Sequence, residues 1–276
     1  MTQEERLNAL VEAFCADAGE PRALRVAADS DGKRRLLRSL MNVRMPRALA
    51  AGTLALQDEY LQARNRERGV VRPQELPTAD AAYGSKNPQA GRLSLWQGDI
   101  TRLAADAIVN AANSQMLGCF VPMHLCIDNC IHTFAGVQLR LECARQMQAL
   151  RARYGADYEQ PIGVPLLTDG YNLPAKKVIH VAGPIVSGPL TAALRQDLAA
   201  CYRNSLELCR QNGLRTVAFC CISTGVFRFP NRPAAEIAVG TATDWLAAHP
   251  GCVDRVIFNV FRDEDRAIYE DILSHG

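Results

Sequence analysis

The feature that most limits the fold of this chain is the alternation, after Gly91, of short apolar segments with longer amphipathic ones. The short segments are rich in valine, isoleucine and leucine, and we predict strands at Leu93–Gln97, Ala107–Asn110, Val164–Thr168, Lys177–Ala182, Val217–Ile222 and Arg255–Phe261. The longer segments predict helices at Ile131–Tyr154, Thr191–Asn212, Pro233–Ala248 and Asp263–Ser274. Because the strands show little alternation of apolar and polar residues, both faces of their sheet should be covered. The pattern predicts an α/β fold, a three-layer α-β-α sandwich with a mostly parallel central sheet.

A helical N-terminal extension is predicted to precede this domain. Leu7, Leu10, Val11 and Phe14 recur at helical spacing, and further helical segments cover Leu36–Met41 and Ala48–Arg68. Residues 72–91 contain three prolines and two glycines, which favours a surface linker. We therefore predict an extension at 1–71 and an α/β domain at 72–276 that includes the linker at its start. The extension carries no motif, so we expect it to pack on the domain without taking part in chemistry.

Charge and hydropathy exclude two classes of partner. The formal net charge is only +2, which argues against a specific nucleic-acid partner. The first residues lack the positive start and apolar run of a signal peptide, and no stretch approaches the roughly 18 apolar residues of a membrane helix. We therefore expect a cytoplasmic protein without a membrane partner.

A basic run is the most unusual charge pattern in the extension. Residues 33–47 contain no acid, and their basic members are Lys33, Arg34, Arg35, Arg38, Arg44 and Arg47. Such a run is consistent with a solvated helix face and also with a docking surface for an acidic partner.

Polar loops that follow predicted strands are the first candidates for binding, because ligands of α/β folds lie beyond the carboxyl ends of the strands. They are QGDIT at 97–101, VNAANS at 109–114 and STGVFRFP at 223–230. A Ser-Thr-Gly turn after a buried strand exposes successive backbone N–H groups, which suits a phosphate. The same turn is also consistent with a simple change of chain direction.

A cluster of cysteines in the middle of the chain indicates a metal. Of ten cysteines, Cys119, Cys126 and Cys130 fall within twelve residues, and His124 lies among them. Cys119, His124 and Cys126 offer two thiolates and an imidazole, which zinc prefers, and three ligands leave the open position of a catalytic site. The alternative is a pair of buried thiols. For Cys130 we favour packing in the core over a fourth ligand position.

Taken together, QGDIT, VNAANS and STGVFRFP resemble the macrodomain, an ADP-ribose-binding α/β module. The segment GCFVPMHLCIDNCIHTFAG at 118–136 is similar to the zinc-containing macrodomains, a microbial group of protein ADP-ribosyl hydrolases. The resemblance covers about residues 72–276, and the helical extension also resembles that of the subgroup.

This resemblance implies a nucleotide site. Asp99 would accept a hydrogen bond from the adenine amino group, with the N–H of Ile100 near the base and Phe261 stacked close to it. Asn113 would contact the distal ribose. The diphosphate loop would comprise Ser223, Thr224, Gly225, Val226 and Phe227, with Phe227 next to the distal ribose.

It also implies an enzyme, a hydrolase that removes ADP-ribose from acid-linked side chains of modified proteins. One Zn²⁺ would be held by Cys119, His124 and Cys126, and the catalytic residues would be Asp128 and Asn113. The alternative is a module that binds ADP-ribose without catalysis and carries a structural zinc. Suggested partners are a lipoyl-carrier protein as substrate and a sirtuin-type ADP-ribosyltransferase.

Two departures from the family pattern stand out. Cys119–Cys126 replaces the usual glycine-rich stretch before the acid. Arg228 stands where many macrodomains have glycine, which implies either a stiffer loop or a cation near the substrate.

Overall fold

The structure is a computed structural model that describes residues 1–20 and 29–275, and it contains two compact units that are each discontinuous in sequence. The helical unit comprises Met1–Gly69, Leu117–Tyr158 and Gly170–Leu173. The sheet unit comprises Val70–Met116, Glu159–Asp169 and Pro174–Gly276. The helices are α1 (Gln3–Ala18), α2 (Ser30–Val43), α3 (Ala51–Glu67), α4 (Ala79–Tyr83), α5 (Ile127–Ala135), α6 (Val137–Tyr154), α7 (Ala192–Gln211), α8 (Asn231–Ala248) and α9 (Asp263–His275).

The sheet unit is built on one mixed sheet. Its strands are β1 (Leu93–Gln97), β2 (Ala107–Ala112), β3 (Leu166–Asp169), β4 (Lys177–Ala182), β5 (Thr216–Phe219) and β6 (Arg255–Val260). Their order is β1-β6-β5-β2-β4-β3, and the pairs are parallel except β3 with β4. Residues of both faces are buried along β2 and β6, which explains why these strands lack apolar–polar alternation. The predicted α/β fold with a mostly parallel sheet after a helical region is confirmed.

Some predicted boundaries were wrong. The single helix predicted at Ile131–Tyr154 is two helices, α5 and α6, which break at Gly136. Gly136 has φ +100°, a left-handed conformation that glycine adopts without a Cβ clash. Residues 72–91, predicted as a linker, contain α4 and two 3₁₀ turns. Among the described residues, no helix combines the length and apolar composition that crossing a bilayer requires.

The helical unit has its own apolar core. Leu7, Leu10 and Phe14 of α1 are buried together with Leu37 of α2 and Leu61 of α3. The spacing of the α1 residues confirms the predicted amphipathic helix, and Thr2 with Glu5 forms a capping box at its start.

Most of the basic run is engaged inside this unit. Arg44 and Arg47 both pair with Asp17, at 2.9 and 2.7 Å. Arg34 pairs with Asp31 at 3.1 Å, and Lys33 lies 3.7 Å from Glu4. These contacts are consistent with a solvated helix face, and the docking surface for an acidic partner stays a prediction.

Arg140 of α6 is the main polar contact of the helical unit. Its side chain is buried, with the residue 4% exposed, and donates to the carbonyls of Met41, Asn42 and Arg44 at the end of α2. The same guanidinium donates to the carbonyls of Leu117 at 2.8 Å and Cys119 at 3.3 Å. Burial lowers the pKa of Arg140, but an arginine stays charged throughout the physiological range. One cation therefore fixes the end of α2 and the start of the 117–126 loop.

We predict that Arg140→Met lowers the free energy of unfolding by about 3 kcal/mol or more. The substitution leaves buried carbonyls without donors, and hydrogen bonds to a charged group contribute about 1.5–3 kcal/mol each. Chemical denaturation followed by circular dichroism measures the change. Arg145→Met, an exposed position on the same helix, is the control and should change stability by less than about 0.5 kcal/mol. Equal losses in the two variants would contradict the role of Arg140.

Candidate metal centre and nucleotide loops

The structure gathers the three predicted metal ligands. The ligand atoms of Cys119, His124 and Cys126 all lie within 4.8 Å of one another, and Cys119 Sγ is 3.5 Å from His124 Nδ1. Cys126 is the N-cap residue of α5, and its Sγ accepts a hydrogen bond from the Asn129 N–H at 3.4 Å. Two ligands thus come from an irregular loop and the third from the start of a helix.

Buried polar side chains hold the backbone of this loop. Asn129 donates through Nδ2 to the Val121 carbonyl at 3.0 Å and the Cys119 carbonyl at 3.5 Å. Asn42 of α2 accepts from the Met123 N–H at 3.0 Å and donates to Thr133 Oγ1 at 3.0 Å. Sequence reasoning missed these residues. Their only signal was a polar residue at an otherwise apolar position of a helix.

The chemistry of the donor set fits a divalent soft metal ion such as zinc. Burial raises the pKa of Cys126 to about 12, and the neighbouring Cys119 and Asp128 add to the shift, against the hydrogen bond from Asn129. Two thiolates beside a carboxylate are therefore unfavourable unless a cation compensates their charge. Cysteine and histidine are the ligands zinc prefers. Cys130 lies outside the group of three, and its Sγ accepts from Arg38 Nη2 at 3.6 Å.

Asp128 belongs to the first turn of α5, two residues after the ligand Cys126. It is only 5% exposed, and its Oδ1 is 3.5 Å from His132 Nε2. His132 is itself buried. A Cβ on Gly118 would come within 2.7 Å of the His132 ring, so the loop approaches this ring closely only because residue 118 is glycine. The acid and the ligand Cys126 are therefore fixed by one helix start.

The QGDIT loop lies at the carboxyl end of β1, in the sheet unit. Asp99 caps a 3₁₀ turn, where its Oδ1 accepts from the N–H of Thr101 at 3.0 Å and from Thr101 Oγ1 at 2.6 Å. Ile100 is buried in that turn. Asn259 donates to the Gly98 carbonyl at 2.9 Å, which ties the loop to β6.

Asn113 directly follows β2 in the sheet unit. Its Oδ1 accepts from the Gln115 N–H at 3.1 Å, and its carbonyl accepts from the Met116 N–H at 3.0 Å. These bonds form a turn that orients the amide side chain at the carboxyl end of the strand.

The 223–229 loop has the backbone of an anion cradle. Ser223 has φ +64°, and its carbonyl accepts from the Phe229 N–H at 2.9 Å, which closes the loop. Within the part of the chain that the structure describes, no protein acceptor pairs with the N–H groups of Gly225, Val226 and Phe227. Ser223 Oγ is buried, and it too finds no hydrogen-bond partner in the described residues. Unpaired donors in a turn are what a phosphate or other anion would satisfy.

Glycines shape this loop in two different ways. A Cβ on Gly183 would come within 2.2 Å of Ser223 Oγ, so the protein itself requires glycine there. Gly225 differs, because a Cβ would meet nothing within 4 Å and its φ lies outside the left-handed region. The fold therefore does not explain the glycine at 225.

Arg228 has φ +58°, a conformation that favours glycine. Its N–H donates to the Gly225 carbonyl at 3.0 Å, so the strained residue closes the turn after the cradle. Val226 and Phe261 are 74% and 75% exposed, which leaves two apolar side chains in solvent. Phe261 lies one residue beyond β6 rather than at its end.

His180 is a histidine of the core. It is completely buried in β4, with Nδ1 3.0 Å from Asn110 Nδ2 and Nε2 3.0 Å from Thr168 Oγ1. Burial lowers its pKa to about 3, so the ring is neutral at physiological pH.

Comparison with known proteins identifies the family of this chain. Residues 109–238 match the Macro domain family. A "Protein-ADP-ribose hydrolase" of Treponema medium is 46% identical over 99% of this chain and 100% of the relative. A protein of the same name from Staphylococcus aureus (strain MSSA476) is 44% identical over 86% of this chain and 83% of the relative. The crystal structure of a Trypanosoma brucei macrodomain in complex with ADP-ribose is 30% identical, with a TM-score of 0.64 over 86% of this chain and 94% of that one. This chain therefore belongs to the macrodomain family.

Proposed function

We propose that this protein is a zinc-dependent hydrolase that removes ADP-ribose from acid-linked side chains of modified proteins. The observation that carries the proposal is the grouping of Cys119, His124 and Cys126 with Asp128 two residues later. The names of the Treponema and Staphylococcus relatives, at 46% and 44% identity, support removal of ADP-ribose from proteins. Zinc dependence is inferred from the donor set of Cys119, His124 and Cys126, and the acid linkage from the resemblance to the zinc-containing macrodomains.

Residues of the sheet unit hold the nucleotide in this proposal. Asp99, the N–H of Ile100 and Phe261 take the adenine, and Asn113 takes the distal ribose. The unpaired N–H groups of the 223–227 loop and the buried Ser223 hydroxyl support diphosphate binding, because an unsatisfied buried hydroxyl costs about 1–3 kcal/mol. Binding energy from this remote group would position the reacting end of the ligand.

Hydrolysis of the acid-linked bond requires a base and a stabilised leaving group. Water supplies a hydroxyl group to C1 of the distal ribose, and the bond between C1 and the ester oxygen breaks, so that the side-chain carboxylate leaves with the bonding electrons. The proton of the water passes to Asp128 and from there to the solvent. Asp128 acts as the general base that takes a proton from the water, and Asn113 keeps the ribose in register. A zinc ion held by Cys119, His124 and Cys126 would supply Lewis-acid polarisation of an oxygen, or a bound water with a pKa of about 7.

A second candidate is an ADP-ribose-binding module with a structural zinc. The dense hydrogen bonding of the 117–126 loop favours it, since a brace needs a rigid loop but no open ligand position. A brace does not, however, require the buried acid Asp128. The lipoyl-carrier protein and the sirtuin-type ADP-ribosyltransferase stay predictions as partners.

Catalysis should require both the metal and Asp128, whereas nucleotide binding should require neither. Cys126→Ala removes a thiolate, so it should release zinc and reduce hydrolysis by several orders of magnitude, because a Lewis acid contributes several kcal/mol to lowering the barrier. Asp128→Asn should keep the metal and lower the rate about 100-fold or more, the typical share of a general base. The parental protein and both variants are compared by metal analysis for zinc content, by single-turnover hydrolysis for the rate, and by titration with ADP-ribose for affinity.

Cys252→Ala is the control, because it removes a thiol outside the 117–126 loop. If the Cys126 variant loses its zinc but hydrolyses at the parental rate, the metal is a structural brace. If the parental protein releases no ADP-ribose from an acid-linked target, the binding module is the better description.

Gly225→Ala should weaken ADP-ribose binding about tenfold or more without lowering stability. A methyl group meets no protein atom at this position, so any loss must come from the ligand, and overpacking costs about 1–3 kcal/mol. Calorimetric titration measures affinity, and thermal unfolding measures stability. Gly188→Ala adds the same methyl group at an exposed glycine with equally open surroundings and should change neither quantity. Unchanged affinity in the Gly225 variant would remove this residue from the binding site.

A further inference from the structure

We propose that Arg38, on helix α2 of the N-terminal region, is a positioning residue for the metal centre. The inference rests on the proposed function, because it concerns the zinc site formed by Cys119, His124 and Cys126. It assigns a functional role to a helix that sequence motifs do not mark.

The contacts of one nitrogen atom carry the argument. Arg38 Nη2 donates to the backbone carbonyl of His124 at 2.7 Å and to Asn129 Oδ1 at 2.9 Å, and it lies 3.6 Å from Cys130 Sγ. Two of these distances are short, as expected when the donor is charged. The guanidinium is thus bound to the main chain of a ligand residue.

Asn129 extends this influence to the other two ligands. Its N–H donates to Cys126 Sγ at 3.4 Å, and its Nδ2 lies 3.5 Å from the Cys119 carbonyl. Arg38 therefore reaches His124 directly and both cysteines through one intervening residue. Residues that orient metal ligands in this way typically change metal affinity 10- to 100-fold when they are replaced.

Helix α2 is itself held rigidly enough to serve as a support. Asn42, one turn further along, accepts from the Met123 N–H in the same loop. Arg140 binds the carbonyls of Met41, Asn42 and Arg44, which fixes the end of the helix. A guanidinium on a fixed helix can define the position of the His124 backbone, whereas a mobile one could not.

The role of Arg38 also accounts for Cys130. The Cys130 thiol accepts a hydrogen bond from Arg38 and lies outside the group of three ligand atoms. Its position is therefore explained without a metal. It contributes an acceptor to the Arg38 contacts and leaves the metal with three protein ligands.

The experiment compares Arg38→Ala and Arg38→Lys with Arg35→Ala, an exposed arginine of the same helix, in the full-length protein. Zinc affinity is measured by competition with a chromophoric chelator. The visible spectrum of the protein saturated with Co²⁺ reports the geometry of the ligands, and circular dichroism reports the fold. We expect zinc to bind about tenfold or more weakly to Arg38→Ala, with a shifted cobalt spectrum, and the Arg35 variant to match the parental protein within twofold.

Arg38→Lys keeps the positive charge but replaces the planar guanidinium, and it carries the test if the alanine variant does not fold. We expect its zinc affinity to be several-fold below the parental value. The inference alone would be overturned by the following result. The parental protein binds zinc and hydrolyses its substrate, and the Arg38 variants match Arg35→Ala in zinc affinity and in the cobalt spectrum. A parental protein that binds no zinc would overturn both the inference and the zinc dependence of the proposed function.

Discussion

The loop at residues 117–126, which carries the predicted metal ligands, depends on hydrogen bonds to backbone carbonyls that have no partner in a helix or a sheet. Residues 117–126 are irregular, and buried carbonyls in such a segment must find donors elsewhere. Arg140 supplies donors to Leu117 and Cys119, and Asn129 supplies them to Cys119 and Val121. These donors come from α5 and α6, so the backbone of the loop is held by two helices of the same unit.

The sheet unit contains a loop whose backbone N–H groups, in contrast, lack protein partners. Its 223–227 loop leaves N–H groups of three successive residues without protein acceptors in the described chain, beside a buried serine hydroxyl in the same condition. The buried hydroxyl costs stability as long as it has no partner. The backbone of the 117–126 loop is thus bonded within the protein, whereas the 223–227 loop offers donors to a bound molecule. This difference is consistent with the proposed metal site in the first loop and the proposed nucleotide site in the second.

The sequence patterns were sufficient to predict the fold class and the grouping of Cys119, His124 and Cys126, but not the residues that hold this group in place. Apolar segments without alternation predicted the parallel sheet, and the spacing of Cys119, His124 and Cys126 predicted a cluster that the structure does form. The break at Gly136 was missed because an amphipathic stripe continues across it. In the sequence Arg38 is one member of a basic run. Its hydrogen bond to a backbone carbonyl could not be predicted, because any residue type can supply that carbonyl and no particular partner side chain marks it. The roles assigned to Asp99, Asn113 and Asp128 stay predictions.

The start of α5 explains why a thiol and an acid lie two residues apart at the proposed site. Cys126 caps the helix, where the backbone N–H groups and the helix dipole favour a negative charge. That effect contributes about 0.3–1 kcal/mol, which is less than one pKa unit, whereas burial raises the pKa of Cys126 to about 12. The helix start alone therefore cannot keep the thiolate, and a metal ion is the cation that would. Asp128 lies in the same first turn of α5 and also contacts His132, with Oδ1 3.5 Å from His132 Nε2. The helix start that places the predicted ligand Cys126 therefore also places the acid two residues later.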